Sequence, residues 1–287
     1  MKSAMTPKFA FASTTLLLSL LFAPPRARSA EEPSLLYATV PSASGTMLVA
    51  ADLEATRVRV IGSMGFPFSA ALALCPSEGE DRERDEDRQR PKDRKREVAY
   101  TITNTFGPAQ LAKLDLDTGA ARLVGSPLGE ALAIMGMTCS PDGTLYAVGQ
   151  DDPTNVDFNS LYTVDRESGL ASRIGSTAVN DQTLGFSGFL MALSFAPDET
   201  LYGVNEGTLF RVDRFTGKAT KVADLVGVGM VMGLAIDEDG KFYVADYVPG
   251  SKIYRLDSHS GLATPILNTG LDFVHNIEFK QITRWRR

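Results

Sequence analysis

Cysteine is scarce in this sequence, with Cys75 and Cys139 the only two in 287 residues. That excludes a disulfide-built scaffold and the clustered Cys/His spacing of a structural zinc site, so stability has to come from a packed core. Histidine is equally rare, at His259 and His275, and Trp285 is the single tryptophan. Excess positive charge is missing too: 29 basic against 35 acidic residues leave a net charge of −6. Such a chain carries no overall field to draw phosphate backbones or anionic lipid, and no nucleic-acid partner is expected. The one sustained apolar run, Phe9 to Phe22, is about 14 residues, short of the roughly 20 that span a bilayer. Lys2 and Lys8 flank it on one side, and Ala27 and Ser29 suit the −3 and −1 positions of a cleavage site. Residues 1–29 therefore read as a secretory signal peptide. A secreted or periplasmic protein is expected, with residues 30–287 as one domain and no membrane span once the signal is removed.

Familiar catalytic motifs are also absent. There is no phosphate-binding glycine loop, zinc motif or flavin fingerprint. Gly185-Phe186-Ser187-Gly188-Phe189 approaches a nucleophile elbow but ends on Phe where that motif needs Gly, without the strand-turn-helix setting.

What is present is a repeat. Asp-x-x-[Ser/Thr]-Gly recurs at Asp115–Gly119, Asp165–Gly169, Asp213–Gly217 and Asp257–Gly261, with the Asp residues 50, 48 and 44 apart. Four residues before each Asp stands Leu111, Leu161, Leu209 or Ile253; ten after the first two come Gly125 and Gly175, and Ala223 and Leu267 take the other two places. Leu48, Asp52 and Gly62 form a fifth, degenerate copy. Between copies run two further strand-like segments, the second marked by Leu36-Tyr37, Ala99-Tyr100, Leu145-Tyr146, Leu201-Tyr202 and Phe242-Tyr243. Short aromatic and β-branched runs between Gly/Asp/Pro turns are strands, and a period of 40 to 50 residues points to a propeller of four-stranded blades, a–b–c–d. The chain begins at a b strand and ends with an a-like strand, His275 to Phe279. That last strand is expected to complete the first blade, giving an all-β ring of five blades, with six as the alternative. The Asp-x-x-[Ser/Thr]-Gly segments fall at the c–d hairpins as structural turns.

These blades resemble the secreted bacterial propeller repeats that read "LY…D-x-x-TG", broadly related to the YVTN and NHL propellers, over nearly all of residues 35–280. The resemblance implies the fold and leaves function open, because this architecture hosts enzymes and binding proteins alike.

Cys75 and Cys139 align at equivalent places on neighbouring a strands, opposite apolar counterparts. Buried free thiols are expected, with an inter-blade disulfide as the alternative. Residues 78–97 stand outside the repeat, with nine acidic and eight basic residues and no apolar side chain; a disordered, solvated a–b loop is expected.

The d–a and b–c connections share one face of the ring, and their irregular loops make it the candidate binding face. Asn104, Asp151, Asn205, Glu206, Asp246, His275 and Asn276 are its candidate ligand-binding residues, with Glu278 beside His275 near the channel. No catalytic residue is assigned. Asp151, Asp152, Asn155 and Asp157, followed by Asn159, present alternating oxygens that suit Ca²⁺, although the loop lacks the Gly and distal Glu of an EF-hand. His259, inside a c–d turn, is read as incidental. The leading functional expectation is an extracellular or periplasmic binding or scaffold propeller for a small molecule, carbohydrate or protein. The alternative is a metal-assisted hydrolase or lactonase at the channel mouth, with Asn205, Glu206, Asp246 and Asn276 around the metal.

Overall fold

Twenty strands and no helix make up the described residues, 35–77, 97–103, 108–129, 133–150, 159–179 and 190–280 of a computed structural model of the chain. They form five antiparallel sheets of four strands. The first blade takes β20 (Ile277–Phe279) beside β1 (Leu35–Ser42), β2 (Gly45–Asp52) and β3 (Arg57–Ser63). The second runs β4 (Leu72–Pro76), β5 (Glu97–Thr103), β6 (Gln110–Leu114) and β7 (Ala121–Pro127). The third runs β8 (Ala133–Cys139), β9 (Leu145–Gln150), β10 (Asn159–Val164) and β11 (Ala171–Ser176). The fourth runs β12 (Ala192–Phe195), β13 (Leu201–Asn205), β14 (Thr208–Val212) and β15 (Ala219–Asp224). The fifth runs β16 (Val231–Ile236), β17 (Phe242–Asp246), β18 (Lys252–Leu256) and β19 (Ala263–Asn268).

The innermost strands touch in the order β20, β4, β8, β12, β16 and back to β20. Five apolar clusters fill the five blade interfaces. The protein is a five-bladed β-propeller, closed as the repeat predicts: Phe279, Glu278 and Ile277 lie opposite Leu36, Tyr37 and Ala38. This join replaces an open sheet edge with a paired one. The outermost strands stay exposed and carry Arg57, Arg59, Arg122, Arg173 and Lys221, charges that discourage edge-to-edge pairing. Residues 1–29, expected to be a signal peptide, and the charged segment up to Arg96 lie outside the described residues.

The repeat signature now has a physical explanation. In each turn the Asp carboxylate accepts backbone N–H groups two and three residues on, as at Asp115 (2.9 Å from both Asp117 N and Thr118 N) and Asp213 (2.9 Å from Phe215 N, 3.1 Å from Thr216 N). The leucine and the glycine are cross-strand partners at a bulge in the c–d pair, Leu48 opposite Gly62 and Leu161 opposite Gly175. A side chain at Gly175 would place Cβ 2.3 Å from the carbonyl oxygen of Thr216 in the next blade's turn. The glycine lets one blade's turn dock on its neighbour's outer strand.

Cysteine placement corrects the expected thiols. Cys139 lies opposite Leu145, but Cys75 lies opposite Val98 rather than Ala99, the counterpart of Leu145. Cys139 therefore matches Leu74. Successive strand residues point to opposite faces, so Leu74 packs toward the first blade while Cys75 turns toward the third, where Cys139 faces it. The two form a buried disulfide with Cα atoms 5.1 Å apart. Arg166 adds a second tie across this interface, donating to Pro76 O at 2.9 Å and to the Tyr100 hydroxyl at 3.2 Å.

Candidate functional site

The inner strands share a local irregularity at the d–a end of the channel. In β8 and β16 the pairing skips Met135 and Met232. Met191 N reaches Val204 O, and His275 N reaches Thr39 O, in the corresponding way. Counting from the matched pairs puts Ala70 at the same bulge in the second blade. One residue further on stand Ala71, Gly136, Ala192, Gly233 and Asn276; three further on stand Ala73, Thr138, Ser194, Ala235 and Glu278.

Both of those positions face the next blade near the axis, where space is short. Cβ on Gly136 would sit 2.7 Å from Ala192 Cα, and on Gly233 2.7 Å from His275 O. Four blades obey this limit with Gly, Ala, Ser or Thr. The closing strand alone inserts Asn276 and Glu278, preceded by His275. All three are buried: His275 is 2% exposed, Asn276 0% and Glu278 5%.

Their polar atoms are poorly satisfied. Neither Asn276 Nδ2 nor Oδ1 has a hydrogen-bond partner, and the same holds for His275 Nδ1 and Glu278 Oε2. Burying such groups unpaired costs free energy and calls for an explanation in water, ligand or ion. Burial holds the His275 pKa down at about 4 against the opposing influence of the Ala70 backbone, so the imidazole is neutral. Its ring meets Phe68 and Tyr247 edge-on, centroids 6.0 and 5.5 Å away. The Glu278 carboxyl is pushed well up, first by burial and then by the nearby charge of Glu97, while Thr138 across the channel opposes the shift. The site thus offers a neutral imidazole, a carboxamide and a carboxyl that resists ionisation, in one narrow channel.

Other candidates have structural duties. Asp246 accepts from Lys252 N at 2.6 Å and from the Tyr254 hydroxyl at 2.8 Å, pushing that phenol up to about 12 through burial and the shared hydrogen bond. Asn205 Oδ1 accepts from Gly207 N at 3.3 Å and shapes the β13–β14 turn, and the Glu206 carbonyl accepts from Val231 N. Asn159 Oδ1 accepts from Thr177 Oγ1 at 2.7 Å and Leu190 N at 3.2 Å. Among the described residues no three His, Cys, Asp or Glu side chains gather into a metal-binding group. Within the set Asn205, Glu206, Asp246 and Asn276, the Asp246 carboxylate and the Asn205 oxygen already accept hydrogen bonds from the protein. Asn104, Asp151, Asp152, Asn155, Asp157 and the Gly185–Phe189 segment lie outside the described residues. Surface hollows beside Lys241 and Arg255, and beside Leu35 and Arg57, sit on blade flanks away from the axis.

The sequence matches no family model and no curated protein. Solved structures with a similar fold include the gluconolactonase XC5397 from Xanthomonas campestris, 16% identical over 85% of this chain and 79% of that one, TM-score 0.48. A putative 6-phosphogluconolactonase from Bacteroides fragilis is 14% identical over 88% and 99%, TM-score 0.45. The calcium-binding protein regucalcin from Agrobacterium tumefaciens is 20% identical over 79% and 73%, TM-score 0.42. At these identities the likeness is one of fold.

Proposed function

We propose that the protein is a ligand-binding propeller whose site is the channel at the closing strand, taking a small polar organic molecule. One observation carries this reading: the Asn276 carboxamide, fully buried with both donor and acceptor unmatched, at a position where four other blades place Gly or Ala. A ligand that donates to its oxygen and accepts from its nitrogen would repay that burial. The Cys75–Cys139 disulfide supports an oxidising compartment and with it a secreted or periplasmic location.

A hydrolytic reading has its own support in the neutral His275 and the raised Glu278 carboxyl within one channel, environments that favour a base and an acid respectively. Lactone opening, the activity named for several proteins of similar fold, is the reaction to test first. Ca²⁺, suggested by the 151–157 oxygens, belongs to the same screen.

The experiment is a thermal-shift panel of sugars, sugar acids, aldonolactones and Ca²⁺ on wild type and Asn276→Ala, with lactone hydrolysis followed by proton release. A midpoint rise with an organic compound, lost in Asn276→Ala, is expected. Hydrolysis abolished by His275→Gln would move the assignment to an enzyme. No organic response in the wild type, or a response unchanged in Asn276→Ala, would refute the binding site.

A further inference from the structure

We propose that the channel mouth also holds one soft metal ion, Cu(I), bound by the thioethers of Met135, Met191 and Met232 and by Nδ1 of His275. Four neighbouring inner strands place these residues at the same bulge. The strands approach closely there: Cβ on Gly136 would lie 2.9 Å from Met191 O, and on Gly233 2.7 Å from His275 O. Met135 therefore neighbours Met191, and Met232 neighbours His275, within the reach of flexible side chains.

None of the inter-blade clusters among the described residues includes the methionines at this bulge. Among the described residues, Met135 and Met191 are the only buried apolar side chains larger than alanine that belong to none of the five inter-blade clusters, and partly buried Met232 belongs to none either. Their place on the innermost strands sets them beside the axis. Two residues further along the same strands, where a core-filling side chain is needed, stand Leu72, Met137, Leu193, Leu234 and Ile277, and each joins a cluster. A position that merely needed bulk would accept the same branched residues.

His275 supplies the second, independent observation. Its Nδ1 is buried without a hydrogen-bond partner. An imidazole nitrogen left without a protein partner is a ready metal ligand. Three thioethers and one imidazole make a soft, neutral donor set. It suits Cu(I) and offers nothing to Ca²⁺ or Mg²⁺, which take oxygen ligands.

The inference rests on reading this mouth as a binding site but depends on other side chains than the organic ligand does. The test is anaerobic Cu(I) titration of the intact protein against bicinchoninate, with ascorbate as reductant, which leaves the disulfide formed. One equivalent per chain is expected, with affinity falling by about tenfold or more in Met135→Leu/Met191→Leu/Met232→Leu and unchanged in Met137→Leu. If the triple variant does not fold, Ag(I) titration of wild type labelled at the methionine methyls decides: Met135, Met191 and Met232 should shift, Met64 and Met137 should not. Absence of competition, retained affinity in the folded triple variant, or shifts confined to other methionines would overturn the proposal. The organic-ligand reading would then stand or fall on the Asn276 thermal-shift result alone.

Discussion

His275 and Glu278 make opposite claims on stability as pH changes, and the signs follow from their burial. Folding lowers the His275 pKa from 6.5 to about 4, so protons favour the unfolded chain. Its contribution is complete above about pH 6.5 and is lost as pH falls toward 4, by at most about 3 kcal/mol. For Glu278 the folded value is raised well above 4.5, chiefly by burial; stability is complete below 4.5 and declines as pH rises above it. The turn aspartates Asp115, Asp165, Asp213 and Asp257 are lowered by backbone hydrogen bonds, and what they contribute disappears only below about pH 4. Urea midpoints taken from pH 8 to 4 should show the loss beginning near 6.5, and His275→Gln should flatten that part of the curve. Glu278→Gln should raise the midpoint at pH 8. A His275→Gln profile parallel to wild type would show that the imidazole is not buried neutral.

At the scale of elements, the closing strand and the disulfide are two different fastenings of one ring. Removing residues 273–287 deletes β20, exposes the edge of β1 and strips Val274, Ile277 and Phe279 from the cluster between the fifth and first blades. Circular dichroism of that truncation should show loss of cooperative unfolding, because radial closure fails everywhere at once. The Cys75–Cys139 bond spans 64 residues; Cys75→Ala/Cys139→Ala should keep the fold while losing about 2–4 kcal/mol. Thiol titration of denatured, unreduced protein should find no free thiol. Fold and closure were legible in the sequence because turn chemistry is local: Asp, Ser or Thr, and Gly each have a backbone reason to recur. The disulfide was not, because it depends on which face of β4 a side chain takes, and a one-residue shift in alignment reverses that face. The polar site was legible only in part. His275 and Asn276 stand out by residue type, but their meaning comes from the strand register, which puts Asn276 in a column of Gly and Ala and His275 in one otherwise held by Ala70, Met135, Met191 and Met232. Asp246 and Asn205 are candidates as an acid and an amide on the loop-bearing face, yet their oxygens accept hydrogen bonds that shape the b–c connections. No composition rule separates the two uses.

On the proposed function, four blades and most of the fifth interface are scaffold, and the closing strand gives up stability for a site. Natural sequences break their own local rules where function requires it. The most direct measurement is the unfolding free energy of Asn276→Ala at neutral pH, taken with its response to whichever organic compound stabilises the wild type. Stability equal to or above wild type is expected, because Ala is the residue used at Ala71 and Ala192 and because an unmatched buried amide, itself a cost of about 1–3 kcal/mol, is removed; the ligand response should vanish. A loss of more than about 1 kcal/mol together with an unchanged ligand response would contradict that expectation, showing Asn276 to be an ordinary part of the core.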